Sequence, residues 1–493
     1  MPEQSRSSTP RSAPRASRSP ALARAVALAC PVIVGAGFAA PAAAQGYLGG
    51  FELPHSTWSV FGGVTHSTNA TRQPDGQSDT IASVGVSGSL FRDEGRLTYR
   101  LVGNAAYEEY LENTYDGDVR ASVNAGARYE FVPDRISWSV DNTFGQSATN
   151  TFAPSTPENR TNVNYFSTGP DVDLRLGGVA GLGLGARYAR TDYSEGVGDD
   201  QRYSGNARLY RRLSATSTAA LNASFQRVRN EDEFGFGFGR EREYDTREYF
   251  ASLDAQRARY GFSLGAGLSE LSNEGRAGSE SEPLVRASAY RRLSPALNLN
   301  LSAGQEFRSG GDILRDAIGE TRIVNGQIVF IGAGIDPQSV GAVLADLSVV
   351  NQPVKYQYAR ASLDWARTRT TFSIAGGQGR ERYQNPGIDV DRDFTEAGLS
   401  ASRRLRPNLS AQASVNWNER DFRQRGRGDQ TLYAQLRLDW QLTSRFGLNF
   451  SYRHEDRQSD FSTFEYQENL FYVGVSYGPG RGPQPAGAGA AGP

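Results

Sequence analysis

Arginine and carboxylate residues recur at every second position of many segments, and the positions between them are mostly apolar or small. Side chains of this kind on one face of an extended chain can pair with one another, attract ions and hydrogen-bond to hydroxyl groups. Such a surface suits the wall of a water-filled lumen better than a reaction centre. The residues that the spacing assigns to this lumen lining are Arg100, Arg120, Arg128, Glu130, Arg175, Arg187, Arg208, Arg286, Glu306, Arg360, Asp364, Glu396, Arg437, Asp439 and Arg453.

Tyrosines with the same spacing would add flat aromatic faces to that surface. Aromatic rings with a polar tip can stack on sugar rings, and arginines beside them can donate hydrogen bonds to sugar hydroxyls. Six more carboxylates share this spacing, which brings the inward set to ten arginines and eleven acids and predicts no preference for cations or anions: Glu108, Asp141, Asp171, Asp173, Asp254 and Glu455. The tyrosines concerned are Tyr210, Tyr290, Tyr356, Tyr358, Tyr433 and Tyr472.

The chain has three histidines for acid–base chemistry, His55, His66 and His454. Outer-membrane lipid hydrolases need a histidine beside a serine, so a hydrolase centred on His454 is one functional alternative. His454 has the apolar spacing near a strand end, which is typical of an interfacial belt. The acidic run at 389–393 lacks the glycine of a calcium loop, and Ser400 stands at its closing position. We therefore predict no catalytic residue, cofactor or metal site.

The elements that must position the charged residues are β-strands. From Val119 to Phe131, seven apolar residues alternate with six polar or small ones, and this period of two puts the two sets on opposite faces of a strand. Residues 297–304, 432–442 and 446–453 show the same alternation. An arginine that faces lipid near the midplane costs about 2–4 kcal/mol. In a membrane, the charged set is therefore expected to face inward.

Short and long connections alternate along the chain. Short turns are predicted at 93–95, 133–135, 178–181, 214–216, 294–296, 406–408 and 443–445 and near residues 257 and 368. Longer polar stretches occupy 68–79, 111–118, 151–160, 195–201, 233–245, 273–282, 310–353, 385–391, 425–430 and 461–468. They join about 20 strands (18–22) and leave both termini on the short-turn side. The predicted fold class is all-β, a transmembrane antiparallel up-and-down β-barrel with short periplasmic turns and long extracellular loops.

Composition excludes several other classes of protein. The chain of 493 residues has a mean hydropathy of −0.53, which is too low for several apolar helices of about 20 residues each. Its single cysteine, Cys30, excludes a disulfide framework. A net charge of −1 gives no basic footprint for nucleic acid. A soluble multi-sheet protein would have to cover its sheet edges, which closure into a barrel does directly.

The two ends of the chain are expected to lie outside the barrel. Residues 1–44 combine five arginines, an apolar run of small residues and an alanine-rich site, which is the pattern of a cleaved signal peptide. Residues 45–56 would be a short periplasmic segment, and 57–477 the outer-membrane barrel. The last strand closes on Tyr477, and the Gly/Pro/Ala tail at 478–493 is expected to be disordered.

The longest connection, 310–353, is unusually rich in isoleucine, valine and leucine. An exposed loop of this composition needs an apolar environment or a partner. We hypothesise that it folds into the lumen or caps it and so narrows the channel. The alternative is a partner-binding or surface subdomain.

A short internal repeat marks several hairpins. Tyr210–Ser214 and Tyr290–Ser294 are both Tyr-Arg-Arg-Leu-Ser, and Ser402–Arg406 is a looser copy. With the strand pattern over about 47–477, these hairpins resemble the outer-membrane β-barrel porin family often found with bacterial exopolysaccharide-export systems. The resemblance implies a location in the outer membrane and a role in moving or anchoring polysaccharide. It carries over no functional residue.

The function predicted is a porin-like channel for hydrophilic solutes or exported polysaccharide. The first alternative is a non-conducting barrel that anchors a surface polysaccharide or a secretion partner, and the second is the lipid hydrolase. The partners expected are outer-membrane lipid and lipopolysaccharide, the barrel-assembly machinery and polysaccharide-export components, with no nucleic acid. Six aromatic residues are predicted to form girdles at the membrane interfaces: Trp138, Tyr188, Trp365, Trp417, Trp440 and Tyr477.

Overall fold

The computed structural model describes residues 55–150, 152–194, 199–231, 243–273, 279–309, 321–324, 327–330, 353–384 and 390–478. The predicted signal peptide and tail, and most of the loop at 310–353, lie outside the described residues. Three single-turn 3-10 helices span Pro157–Asn159, Arg423–Arg425 and Ser462–Phe464. In the part of the chain that is described, no helix is long and apolar enough to span a membrane.

The remaining regular structure is β-strand. The strands are β1 (His55–Ser67), β2 (Asp79–Arg92), β3 (Leu97–Tyr110), β4 (Asp118–Val132), β5 (Ile136–Ser147), β6 (Thr161–Arg175), β7 (Ala180–Tyr193), β8 (Asp200–Ser214), β9 (Ser217–Asn230), β10 (Glu243–Gln256), β11 (Tyr260–Asn273), β12 (Ser279–Ser294), β13 (Leu297–Arg308), β14 (Thr321–Val324), β15 (Gln327–Phe330), β16 (Val354–Arg367), β17 (Thr370–Tyr383), β18 (Arg392–Arg406), β19 (Leu409–Phe422), β20 (Arg427–Gln441), β21 (Phe446–Ser459) and β22 (Tyr466–Tyr477).

Twenty of these strands form one closed sheet. Each pairs antiparallel with the next in the chain, β13 pairs with β16, and β1 pairs with β22 to close the ring. Nine connections of two to four residues, at the predicted short turns, alternate with ten others. Nine of those ten are longer, and the β19–β20 connection has only four residues (423–426). The predicted fold class, an up-and-down barrel of about 20 strands, is confirmed. The small β14–β15 hairpin within the longest connection was not predicted.

The two faces of the barrel wall have opposite chemistry. Directly paired residues of neighbouring antiparallel strands point to the same side of a sheet. The pairing register therefore shows, from strand to strand around the ring, which set of alternate residues (which phase) shares each face. One phase carries exposed aliphatic side chains, as at Val60, Val84, Leu264, Ile374 and Leu436. An apolar surface of this extent is stable only against lipid, because a soluble protein would bury it.

The six predicted girdle aromatics share this outward phase. Trp138, Trp440 and Tyr477 are about 40% exposed, and the rings of Trp58 and Phe446 lie 6.3 Å and 5.0 Å from that of Tyr477. Amphipathic rings at this position are typical of the membrane–water interface. Trp138, Trp365, Trp440 and Tyr477 therefore mark the short-turn edge of the apolar band, whereas Tyr188 and Trp417 lie towards the long-loop ends of β7 and β19.

Inward-facing aromatic rings lie flat against the wall. A Cβ added to Gly63, on β1, would stand 2.5 Å from the Tyr472 ring of neighbouring β22. The same relation joins Gly181 to Tyr210, Gly261 to Tyr290, Gly304 to Tyr358 and Gly379 to Phe394. Each glycine leaves the space into which a neighbouring ring folds. These rings therefore cover the wall instead of projecting across the lumen.

Candidate functional site: the lumen wall and its long-loop mouth

All fifteen residues assigned to the lumen lining lie on the phase opposite the exposed aliphatic side chains. Arg286 of β12 pairs with Gly265 and Gly304 on either side, and Arg360 of β16 pairs with Gly377, whose next partner is Glu396. The charged phase can be followed from strand to strand in this way around the ring. That these residues form the lining of an open channel stays a prediction.

Most of the lining charges are paired within the wall. Arg286 bridges Glu248 and Glu306, and Asp364 accepts hydrogen bonds from Ser373 and Asn300. The other pairs are Arg120–Glu108 at 3.2 Å, Arg187–Asp171 at 2.6 Å, Arg208–Asp254 at 3.0 Å, Arg360–Glu396 at 2.8 Å and Arg437–Asp439 at 2.9 Å. The wall thus presents alternating charges with a small net field.

Aromatic side chains cross this ionic wall on β16 and β18. The Tyr356 ring lies 5.2 Å from that of Tyr358 and 6.1 Å from that of Phe394, nearly parallel to the latter. The guanidinium groups of Arg308 and Arg360 lie 5.2 Å and 5.7 Å from the Tyr356 and Tyr358 ring centres. Rings and guanidinium groups therefore alternate on this part of the wall.

At the long-loop mouth, the ion pairs become buried. Glu455 and Glu468 are only 2–3% exposed, whereas Arg208 and Asp254 in the wall are 45% and 39% exposed. The cation that reaches both buried carboxylates is Arg72, from the β1–β2 loop. Sequence reasoning missed Arg72, because a loop residue has no strand phase that could assign it to the lumen.

Arg72 holds four parts of the mouth together. Its Nε lies 3.0 Å from Glu468 on β22, and one terminal nitrogen lies 3.3 Å from Glu455 on β21. The other terminal nitrogen donates to the carbonyl oxygen of Ser155, in the β5–β6 loop, at 2.9 Å. The Tyr466 hydroxyl donates to Glu455, and the Ser67 hydroxyl to Glu468. We call this group the Arg72 latch.

The electrostatics of the latch follow from burial and close charges. Burial opposes the charge on Arg72, but the carboxylates of Glu455 and Glu468 outweigh it and raise the Arg72 pKa well above its usual value. Burial together with the nearby Arg120 charge lowers the pKa of Arg160, which ends the β5–β6 loop. The buried carboxylates therefore favour a permanent cation at position 72.

The β5–β6 loop is anchored on the far side of the mouth. The Phe152 carbonyl oxygen accepts hydrogen bonds from Arg427 at 2.9 Å and Arg457 at 3.1 Å. Its ring lies 5.0 Å from the Phe422 ring and 4.3 Å from the Arg425 guanidinium. Six strands separate β5 from β20 along the shorter arc of the ring. The loop therefore crosses the mouth over that arc.

A polar cavity lies beneath the two loops. Its walls include Arg72 and Arg160 from the two loops and Glu108, Tyr110 and Tyr433 from the barrel, and residues of seven strands contribute in all. The two loops, 68–78 and 148–160, form what we call the mouth cap. This cap lies at the long-loop end of the barrel, in the sector from β20 through β1 to β5.

Phe152→Ala should loosen one end of the mouth cap without unfolding the barrel. The ring contacts with Phe422 and Arg425 would be lost, while the backbone carbonyl could still accept from Arg427 and Arg457. We expect faster proteolysis of loop 148–160 in intact membranes and an unchanged heat-modifiable gel shift. Leu111→Ala, at an exposed position of the β3–β4 loop at the same end, is the control. Equal proteolysis of wild type and the Phe152 variant would contradict the anchoring role.

The features considered for enzyme or metal chemistry have other contacts. His454 Nδ1 lies 3.0 Å from the side-chain oxygen of Asn469, on the outward phase. Asp391 accepts the Tyr383 backbone N–H, and Asp393 pairs with Arg382 and Arg423. Within the described residues, no group of three or more potential ligands could hold a metal ion.

Comparison with known proteins gives one family match and several distant folds. Residues 352–478 match the family model described as "Putative beta-barrel porin 2". The FrpB iron transporter of Neisseria meningitidis aligns with a TM-score of 0.46 and 11% identity, over 86% of this chain and 81% of that one. The ferric enterobactin receptor PfeA of Pseudomonas aeruginosa aligns with a TM-score of 0.48 and 10% identity, over 86% and 80%. No curated protein matches the chain.

The family match is to a β-barrel family, and the observed fold is a β-barrel. The matched residues cover β16 to β22, strands with the charged inner phase and aliphatic outer phase described above. The chain is therefore a closed antiparallel β-barrel with an apolar outer surface, and its C-terminal part is similar to a porin family.

Proposed function

We propose that the protein is a porin-like channel for hydrophilic solutes or exported polysaccharide. The observation that carries this proposal is the charged inner phase, which runs around a closed ring of twenty strands. Strands about 4.8 Å apart and tilted by about 40° give a backbone cylinder roughly 40 Å across. A polar wall of that width favours a hydrated path.

The chemistry of the wall favours a solute that is polar but has little net charge. Paired arginines and carboxylates, such as Arg360 with Glu396, offer donors and acceptors without a strong field of one sign. The flattened rings of Tyr358 and Phe394 offer stacking faces without filling the lumen. Sugars combine hydroxyl groups with apolar ring faces, so they fit both features.

Conductance of the purified protein in a planar bilayer tests the channel. We expect large, stable steps, and we expect sugars of increasing size to block them progressively. The protein should first show the heat-modifiable migration of a folded barrel, so that a silent bilayer is informative. Folded protein without conductance would overturn the channel proposal.

The second candidate function is a non-conducting barrel that anchors a surface polysaccharide or a secretion partner. The observation that favours it is the mouth cap, since Arg72 and Phe152 tie two loops over part of the lumen. In this case, components of a polysaccharide-export system would be recovered with the protein after mild crosslinking. Barrel-assembly machinery, lipid and lipopolysaccharide are proposed partners under either function.

A further inference from the structure

The short-turn end of the barrel carries a dense set of arginines. Only Asp93, Glu94 and Asp134 provide negative charge in the turns of this end. We call the following twelve residues the arginine belt: Arg92, Arg96, Arg135, Arg211, Arg257, Arg259, Arg291, Arg367, Arg369, Arg403, Arg406 and Arg445. Among the described residues, none of the twelve forms an ion pair with a carboxylate, and all but the half-buried Arg92 are exposed.

Several belt arginines are held on the outward phase by a repeated hairpin. Arg211, Arg291 and Arg403 each precede a second arginine and then a register shift next to the turn. Arg291 pairs with Tyr260, whose ring lies on the exposed outer face. The first arginine of each pair therefore points away from the lumen, and the second points towards it.

The outward arginines lie beside the aromatic girdle. The Arg367 guanidinium is 5.8 Å from the Trp365 ring, and that of Arg257 is 5.6 Å from the Tyr260 ring. Aromatic girdles lie at the level of the lipid headgroups. Guanidinium groups at that level meet phosphate groups, which they bind through paired hydrogen bonds.

Three outward arginines at the long-loop end are neutralised instead, although Arg247 on β10 is exposed there without an ion pair to any described residue. Arg227 pairs with Asp245 at 2.7 Å, and Arg229 with Glu243 at 2.8 Å. Arg190 contacts Asp192 and Asp199. In the described part of the chain, the protein's own carboxylates thus pair with outward arginines at the long-loop end but not with the belt arginines at the short-turn end. At the short-turn end, the described residues leave the belt guanidinium groups available to an anion from outside the chain.

We propose that the arginine belt binds anionic phospholipids of the periplasmic leaflet, with their phosphates on the outward guanidinium groups. A lipid is favoured over a soluble polyanion because the outward phase beside Trp365 and Tyr260 faces the bilayer. The proposal is independent of whether the barrel conducts. It gives the protein a lipid-dependent attachment on the side opposite the mouth cap.

Native mass spectrometry of the full chain purified from membranes tests this proposal. We expect detergent-solubilised protein to retain added phosphatidylglycerol in preference to phosphatidylcholine. In the combined variant Arg211→Gln, Arg291→Gln, Arg367→Gln and Arg403→Gln, that retention should fall by at least about fivefold, the effect expected of a single arginine near an anionic surface. The matched control changes the inward arginines of the same hairpins, Arg212, Arg292 and Arg404, to glutamine and should retain the lipid.

Three outcomes would overturn the proposal. Equal retention of both lipids by the wild type would show that phosphate charge is not recognised. Equal losses in the outward and inward variants would point to general charge rather than the outer face. Displacement of lipid by polygalacturonate at constant ionic strength would identify a soluble polyanion as the occupant. If the fourfold variant does not show the heat-modifiable shift, the pair Arg211→Gln and Arg291→Gln repeats the comparison.

Discussion

Replacing Arg72 with glutamine should release the mouth cap and raise the single-channel conductance. The change removes the cation from Glu455 and Glu468, which are 2% and 3% exposed, and breaks the hydrogen bond to Ser155. Breaking a buried ion pair costs about 3–5 kcal/mol, so the two loops would no longer be stable over the mouth. The twenty-strand ladder does not depend on this residue, so the barrel should still assemble.

The measurement combines bilayer recording with cysteine labelling. The expected mature chain has no cysteine, so a single Ser155→Cys change gives a clean probe of the β5–β6 loop. We expect a maleimide reagent to label this position faster in the Arg72→Gln background, together with larger or less stable conductance steps. Arg72→Lys should be intermediate, because one ammonium cannot reproduce the fork of donors that joins two carboxylates and a carbonyl.

Arg208→Gln provides the matched control. Arg208 also pairs with a carboxylate on the inner phase, but its pair with Asp254 is 45% and 39% exposed. Exposed ion pairs contribute about 0–1 kcal/mol, so labelling at position 155 should not change. Unchanged labelling and conductance in Arg72→Gln would show that the Arg72 latch does not hold the cap.

The contrast between these two arginines shows what the sequence could predict. Arg208 lies in a strand of period two, so the alternation alone placed it on the inner face, and the turn pattern placed its strand in the ring. Arg72 lies in a polar loop, and its partners Glu455 and Glu468 are almost 400 positions away in the chain. Contacts of this kind depend on ring closure, which no local pattern encodes.

The inner phase is also less uniformly polar than the alternation suggested. Val228, Tyr244 and Leu271 lie on the inner phase of β9, β10 and β11 and form a buried apolar cluster with Phe307. Leu284 on β12 is fully buried on the same phase. These residues lie towards the long-loop end, where strands of 14–16 residues exceed the roughly 9–11 needed to cross a bilayer. Beyond the membrane, strand phase no longer sorts polar from apolar residues.

Gly267→Ala should strongly reduce the amount of assembled barrel. Gly267 lies on the inner phase of β11 opposite Phe250, and an added Cβ would stand 1.9 Å from the Tyr249 carbonyl oxygen and 2.5 Å from the Phe250 Cα. Both atoms belong to the backbone of β10, so a side-chain rotation cannot relieve the clash. Overpacking of this kind costs about 3 kcal/mol, and here the relief must come from separating β10 from β11.

Gly183→Ala on β7 is the matched substitution. Gly183 is also an inner-phase strand glycine, but the nearest atoms to its added Cβ are at 3.9–4.0 Å. We expect its heat-modifiable fraction and its unfolding midpoint in urea to match those of the wild type, and both to fall in Gly267→Ala. Because both variants add the same methyl group to the same face, loss of assembly in both would attribute the effect to strand flexibility. Loss in Gly267→Ala alone would establish that the close approach of β10 and β11 requires glycine at position 267.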